Sequence, residues 1–146
     1  MPIDTIQEAR DEILEHFTTA WNAQASPPIL LYDDKPRDLP NTASYARVTV
    51  QHGFFSQKTI GGKKALGGCG QRFRRTGVVT VQIFTPFGDG LTIADPLIDL
   101  VLDTFEGEST GSDRIEFRNV TANEVGNDGT WYQTNIVADF DYDRIK

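Results

Sequence analysis

Two stretches of period-2 alternation, residues 45–52 and 73–85, bracket a glycine-rich segment that has almost nothing to bury. Such a pattern leaves the middle of this chain one economical solution, a long-armed hairpin. In the first stretch Ala46, Val48 and Val50 share one face, and Arg47, Thr49 and Gln51 share the other. In the second, Val79, Val81 and Ile83 supply the inward face. Between them, residues 53–72 hold six glycines and three lysines. Phe54 and Phe55 are expected to anchor the start of this segment, and the rest of 53–72 to be a flexible glycine-rich loop that orders when a partner arrives.

The hairpin coincides with a charge anomaly. Residues 39–88 contain no acid and seven basic residues, Arg47, Lys58, Lys63, Lys64, Arg72, Arg74 and Arg75, a formal charge of +7. The other seven basic residues share the remaining chain with all 21 acids, which gives −14 there and −7 in total. Segregated opposite charges attract a partner, or another copy of the same chain, more readily than a mixed surface does. Lys58, Lys63, Lys64, Arg72, Arg74 and Arg75 are therefore the candidate oligomer or partner interface.

The flanking sequence points to an α+β fold. Thr5 and Glu8 form a capping box, with Asp4 as an alternative cap, ahead of an apolar stripe of Ile6, Ala9, Ile13, Phe17, Ala20 and Trp21. Pro27-Pro28 follows, then a short apolar run over 29–32 that reads as an edge strand. After the turn over 86–90, a second helix carries Ala94, Ile98, Val101, Leu102 and Phe105 on one face. Two starts compete for it: Thr92 as cap with Asp95 at the third position, or Asp95 as cap with Pro96 at the first. Gly107 ends it. Strands are expected over 114–120, with Ile115, Phe117 and Asn119 together, and over 131–142, with Tyr132, Ile136, Ala138, Phe140 and Tyr142 on one face. The expectation is one domain over 1–146: a mainly antiparallel or mixed sheet with two helices packed on one face and a long basic hairpin loop.

Composition narrows the function classes. At 38% hydrophobic and 24% charged the chain is ordinary for a globular domain. No apolar run approaches the ~20 residues that span a bilayer, and the first residues do not read as a secretory signal. The single cysteine, Cys69, excludes an internal disulfide. Asp95, Asp99 and Asp103 recur at helical spacing, but neither a histidine nor a clustered glutamate completes a metal site, so they read as a solvated face. Gly61-Gly62-Lys63-Lys64 lacks the spacing of a phosphate loop. Cys69 lies in the glycine-rich segment, where nothing holds His16 or His52 beside it as a base. The expectation is therefore no catalytic residue, no cofactor and no metal. Arg72, Arg74 and Arg75 around Phe73 keep a nucleic-acid-binding module open as an alternative, although the acidic remainder favours protein contacts.

The run Arg74-Arg75-Thr76-Gly77, the alternating strand ending in Phe84-Thr85-Pro86-Phe87-Gly88-Asp89-Gly90, and the apolar helix after it resemble the tail terminator proteins of long-tailed bacteriophages. Asp128-Gly129-Thr130-Trp131-Tyr132 with its closing strand is similar to that family as well. So is the opening, a helix, a short strand, and the strand Tyr45-Ala46-Arg47-Val48 leading into a glycine-rich loop. The resemblance covers most of the chain in order and spacing. It implies a structural subunit of the virion, assembled in the host cytoplasm, that closes into a ring, typically a hexamer. Such a ring caps the tail tube, ends its polymerisation and meets a head-completion or neck protein, with DNA only passing through the lumen. Another neck or tail-completion protein of similar fold is the near alternative.

Overall fold

A computed structural model of the chain describes residues 3–32, 43–59, 62, 70–88 and 91–146. The element order is α1 (Ile6–Asn22), β1 (Ile29–Tyr32), β2 (Tyr45–Gln57), β3 (Arg72–Pro86), α2 (Ala94–Phe105), β4 (Glu116–Asn127) and β5 (Trp131–Ile145). The strands form one mixed sheet in the order β1-β2-β3-β5-β4. β1 runs parallel to β2, and the other neighbours are antiparallel. This is the α+β architecture expected from the sequence.

α1 starts where its capping residues place it. The Thr5 hydroxyl oxygen accepts from the Glu8 N–H at 3.1 Å, while the Glu8 carboxylate accepts from the N–H of Asp4 rather than Thr5. Ala9, Ile13, Phe17 and Trp21 are fully buried, a stripe with one residue every four positions. Ile6 and Ala20, the other members of the expected stripe, lie at its margins and are not buried. At the far end the Trp21 indole N–H donates to the Pro28 carbonyl at 2.9 Å and turns the chain toward β1. α2 differs from both expected starts. Its N-cap is Ile93, which offers no capping side chain, and its inward face adds Leu97 and Thr104 while Leu102 is only half-buried. Packing of that apolar face supplies what the missing cap does not.

One core joins both helices to one face of the sheet. Ala46, Val48 and Val50 of β2 stand opposite Ile83, Val81 and Val79 of β3; Val79 and Val81 stand opposite Ala138 and Ile136 of β5. All are buried with the helix stripes. Phe17 stacks on Phe105 at 5.9 Å, and Phe105 meets Phe117 edge-on at 4.8 Å, so α1, α2 and β4 share an aromatic centre. Burying each such side chain contributes ~2–3 kcal/mol. A polar clasp closes the rim: Arg114 reaches Glu8 at 2.7 Å and Glu12 at 3.3 Å, and the Ser112 hydroxyl donates to Glu12.

Three expectations change. β4 runs to Asn127 and bulges between Arg118 and Thr121, and Asn119, with φ 52°, faces solvent instead of joining Phe117. β5 continues past Tyr142 to Ile145. β2 also continues, so residues 53–57 of the expected loop are strand, paired with β3 up to Gln57 opposite Phe73. Backbone pairing extends each of these strands beyond the point where side-chain alternation fades.

Candidate functional site

The candidate site is the distal end of the sheet, where β2 and β3 approach the glycine-rich connection. The hairpin is not a free arm there. β5 accompanies β3 along its whole length, from Pro86 opposite Trp131 to Arg72 opposite Ile145. Gln71 and Lys146 extend the pairing through reciprocal N–H to carbonyl bonds of 2.8 and 2.9 Å.

This third strand brings acids to the acid-free window. Arg72 and Arg74 project from the face of β3 opposite the core, and Asp143 and Asp141 project beside them from β5. Arg72 Nε and Nη2 lie 2.7 and 2.6 Å from Asp143 Oδ2. Arg74 Nε donates to Asp143 Oδ1 at 2.9 Å and its Nη2 to Oδ2 at 3.4 Å. Arg74 Nη1 is 3.7 Å from Asp141. Arg118 of β4 approaches Asp141 at 3.4 Å and Glu116 at 2.8 Å, which carries the ladder over three strands. Partial burial works against the Asp143 carboxylate, but hydrogen bonds from Arg72 and Arg74 outweigh it and hold its pKa below the ordinary value. The hydrogen bond to Asp143 raises the Arg74 pKa in turn.

The core-side surface of the same end is different. The Arg75 guanidinium lies 5.1 Å from the centre of the Phe55 ring, within cation–π range. Burial pushes the pKa of the Tyr142 hydroxyl up, and Arg75 nearby opposes that rise. That hydroxyl lies 2.8 Å from His52 Nε2. The His52 ring sits edge-on to Phe55, Phe140 and Tyr142, and its Nδ1 is buried without a partner. Burial, helped by the charges of Arg10 and Arg75, pushes the His52 pKa down.

The sequence candidates thus separate. Arg72 and Arg74 pair within the sheet, Arg75 rests on Phe55, and Lys58 is exposed, with its backbone N–H donating to the Arg72 carbonyl at 2.7 Å. Lys63, Lys64 and Cys69 lie outside the described residues. Phe54 corrects the expectation of an anchor: between His52 and Phe55 the register shifts by a bulge, and Phe54 stands 72% exposed. The signal for the ion-pair ladder was in the sequence, since Asp139, Asp141 and Asp143 recur at strand spacing as Arg72 and Arg74 do. Only the register shows that they meet.

Other constellations gather less. His16 Nε2 donates to the Thr104 carbonyl at 2.9 Å, and its ring stacks on Phe117 at 5.3 Å. Its groove of about 600 Å³ is rimmed by Glu12, Glu15 and Ser112. Asp95, Asp99 and Asp103 are exposed on α2. Among the described residues no three His, Cys, Asp or Glu side chains are grouped to hold a metal ion, and no helix is long and apolar enough to cross a membrane.

No protein-family model matches the chain, and no curated protein does. Eighteen chains of known structure match. One of them, from a protein whose name describes no function, superposes with a TM-score of 0.66 at 14% identity over 94% of this chain and 93% of that one. At that identity the likeness extends to the fold.

Proposed function

We propose that this chain is a structural virion protein, a bacteriophage tail terminator whose copies form a ring on the end of the tail tube. The ring, a hexamer in the family it resembles, ends tube polymerisation and presents a surface to a head-completion or neck protein. The observation that carries this reading is the order and spacing of the resembling segments along the chain. Arg74, Arg75, Thr76 and Gly77 lie on β3, the strand ends in the turn before α2, and Trp131 and Tyr132 open the neighbouring strand β5. A single-layer sheet with helices on one face and a basic connection at one end suits a subunit that works by contact.

The nucleic-acid reading is less well supported. Asp143 holds Arg72 and Arg74, and a phosphate would have to displace an intramolecular carboxylate from both. The deciding experiment is removal of the gene from its phage, followed by electron microscopy of the particles. Overlong tails are expected. Tails of normal length on heads that leak DNA would assign the chain to head completion instead, and tails of normal length on intact heads would refute both assignments.

A further inference from the structure

We propose that two exposed apolar patches at opposite ends of the sheet are the two halves of one contact between copies of this chain, joined head to tail. The inference rests on the ring reading and names the surfaces that would make the ring. The first patch is Phe54 and Phe55, 72% and 43% exposed. Its exposure is built in rather than frayed. The bulge lifts Phe54 off the ladder, and the Thr76 hydroxyl fixes it there by donating to the Phe54 carbonyl at 2.8 Å. Basic groups lie at the same end, with Arg75 over Phe55 and Lys58 exposed three residues farther along the chain.

The second patch is Phe87, Leu91 and Ile93 in the connection from β3 to α2, with 54%, 43% and 40% exposed. The Phe87 N–H donates to the Thr130 carbonyl at 2.9 Å, which binds this connection to the turn carrying Asp128. Asp95 donates its own N–H to the Leu91 carbonyl at 2.9 Å. Asp95 and Asp128 are both exposed, so carboxylates flank the second patch as cations flank the first. Backbone N–H groups of Trp131 and Thr130 hold the Asp128 carboxylate ionised.

Phe55 stands opposite Arg75, twelve positions before Phe87, so the patches lie roughly 40 Å apart along β3. One copy cannot bring its own patches together. Two copies can, matching apolar to apolar and basic to acidic. Because the patches differ, the contact is heterologous, and repeating it closes a ring when the rotation allows.

Phe54→Ser and Phe87→Ser test the contact, with sedimentation velocity and native mass spectrometry as readouts. Both side chains are largely exposed, so each variant should keep the wild-type circular dichroism. The wild-type chain is expected to form a closed oligomer, and each variant to associate at least ~10-fold more weakly, the loss of a central aromatic contact. An equimolar mixture of the two variants should recover dimers and nothing larger, because only one intact junction is available. Variants that assemble like the wild type overturn the proposal, and so does a wild-type chain that stays monomeric to about 1 mM. Tail length separates this from the functional reading. Overlong tails without the gene, together with unaffected variants, leave the terminator standing and remove this contact; normal tails with weakened variants do the reverse.

Discussion

Gly77→Ala is expected to destabilise the fold by about 3 kcal/mol, out of proportion to the one methyl group it adds. Gly77 lies in β3 between His52 on one side and Phe140 on the other. A Cβ there would stand 2.2 Å from the Gln51 carbonyl oxygen, and 2.5 and 2.9 Å from Cζ and Cε1 of Phe140. Comfortable carbon contacts are ~3.5–4 Å, so something must move by roughly an ångström. Gln51 lies in the ladder opposite Val78, and the Phe140 ring is 1% exposed, stacked on Tyr142 and abutted by His52. Neither side yields cheaply. Overpacking costs ~1–3 kcal/mol and sometimes more, and the stiffer unfolded chain returns only ~0.4–1 kcal/mol. With backbone on one side and a packed ring on the other, the upper part of the range applies. Urea denaturation should show a lower midpoint at unchanged slope, and the melting temperature should fall by roughly 6–12 °C. Adding Phe140→Leu relieves the ring but not the carbonyl, so it should restore only part of the loss. A cost below ~1 kcal/mol would refute the close-packing argument.

Asp143→Asn should cost ~1–2 kcal/mol, limited by the partial exposure of Arg72 and Arg74, and a double-mutant cycle with Arg74→Gln should reveal coupling; additive costs would mean that the pair is hydrated. Because the Asp143 pKa is depressed on folding, its contribution is complete above the ordinary carboxylate pKa and is lost as pH falls through the folded value, which urea titrations of wild type and Asp143→Asn will show as a difference that narrows in acid. His52 also has a depressed folded pKa, so the unfolded chain takes the proton first and stability declines as pH drops below 6.5, the ordinary histidine value; His52→Gln should flatten that decline, and an unchanged pH profile would show that His52 is not its source. Thr5→Ala should cost ~1 kcal/mol by removing the α1 cap, with an unchanged urea midpoint as the contrary result.

How much of this was legible in the sequence varied with how local the cause was. The α1 cap and stripe needed only the 3.6-residue period, and the paired faces of β2 and β3 only the alternation. The start of α2 was missed because neither candidate cap decides it; Leu97, Val101 and Phe105 position the helix through the core. Phe54 was misread because a bulge is a property of pairing, and the composition of residues 53–57 looks like loop. The fate of the arginines was open for the same reason. Their charge was visible, but the distance to a carboxylate more than sixty residues later in the chain depends on which strand lies beside β3.

By itself, the amino-acid sequence determined the α+β class, the inward faces of β2, β3 and β5, the hairpin and the segregation of charge into residues 39–88. Those follow from periodicity and composition, which act between near neighbours. Tertiary structure decided where that charge goes. By placing β5 against β3 in a register that sets Asp143 beside Arg72 and Arg74, it neutralises those two arginines on one face of the basic end and leaves Phe55 and Arg75 to characterise the other. Strand order and register arise from burying one shared core, and no local window of sequence contains that information.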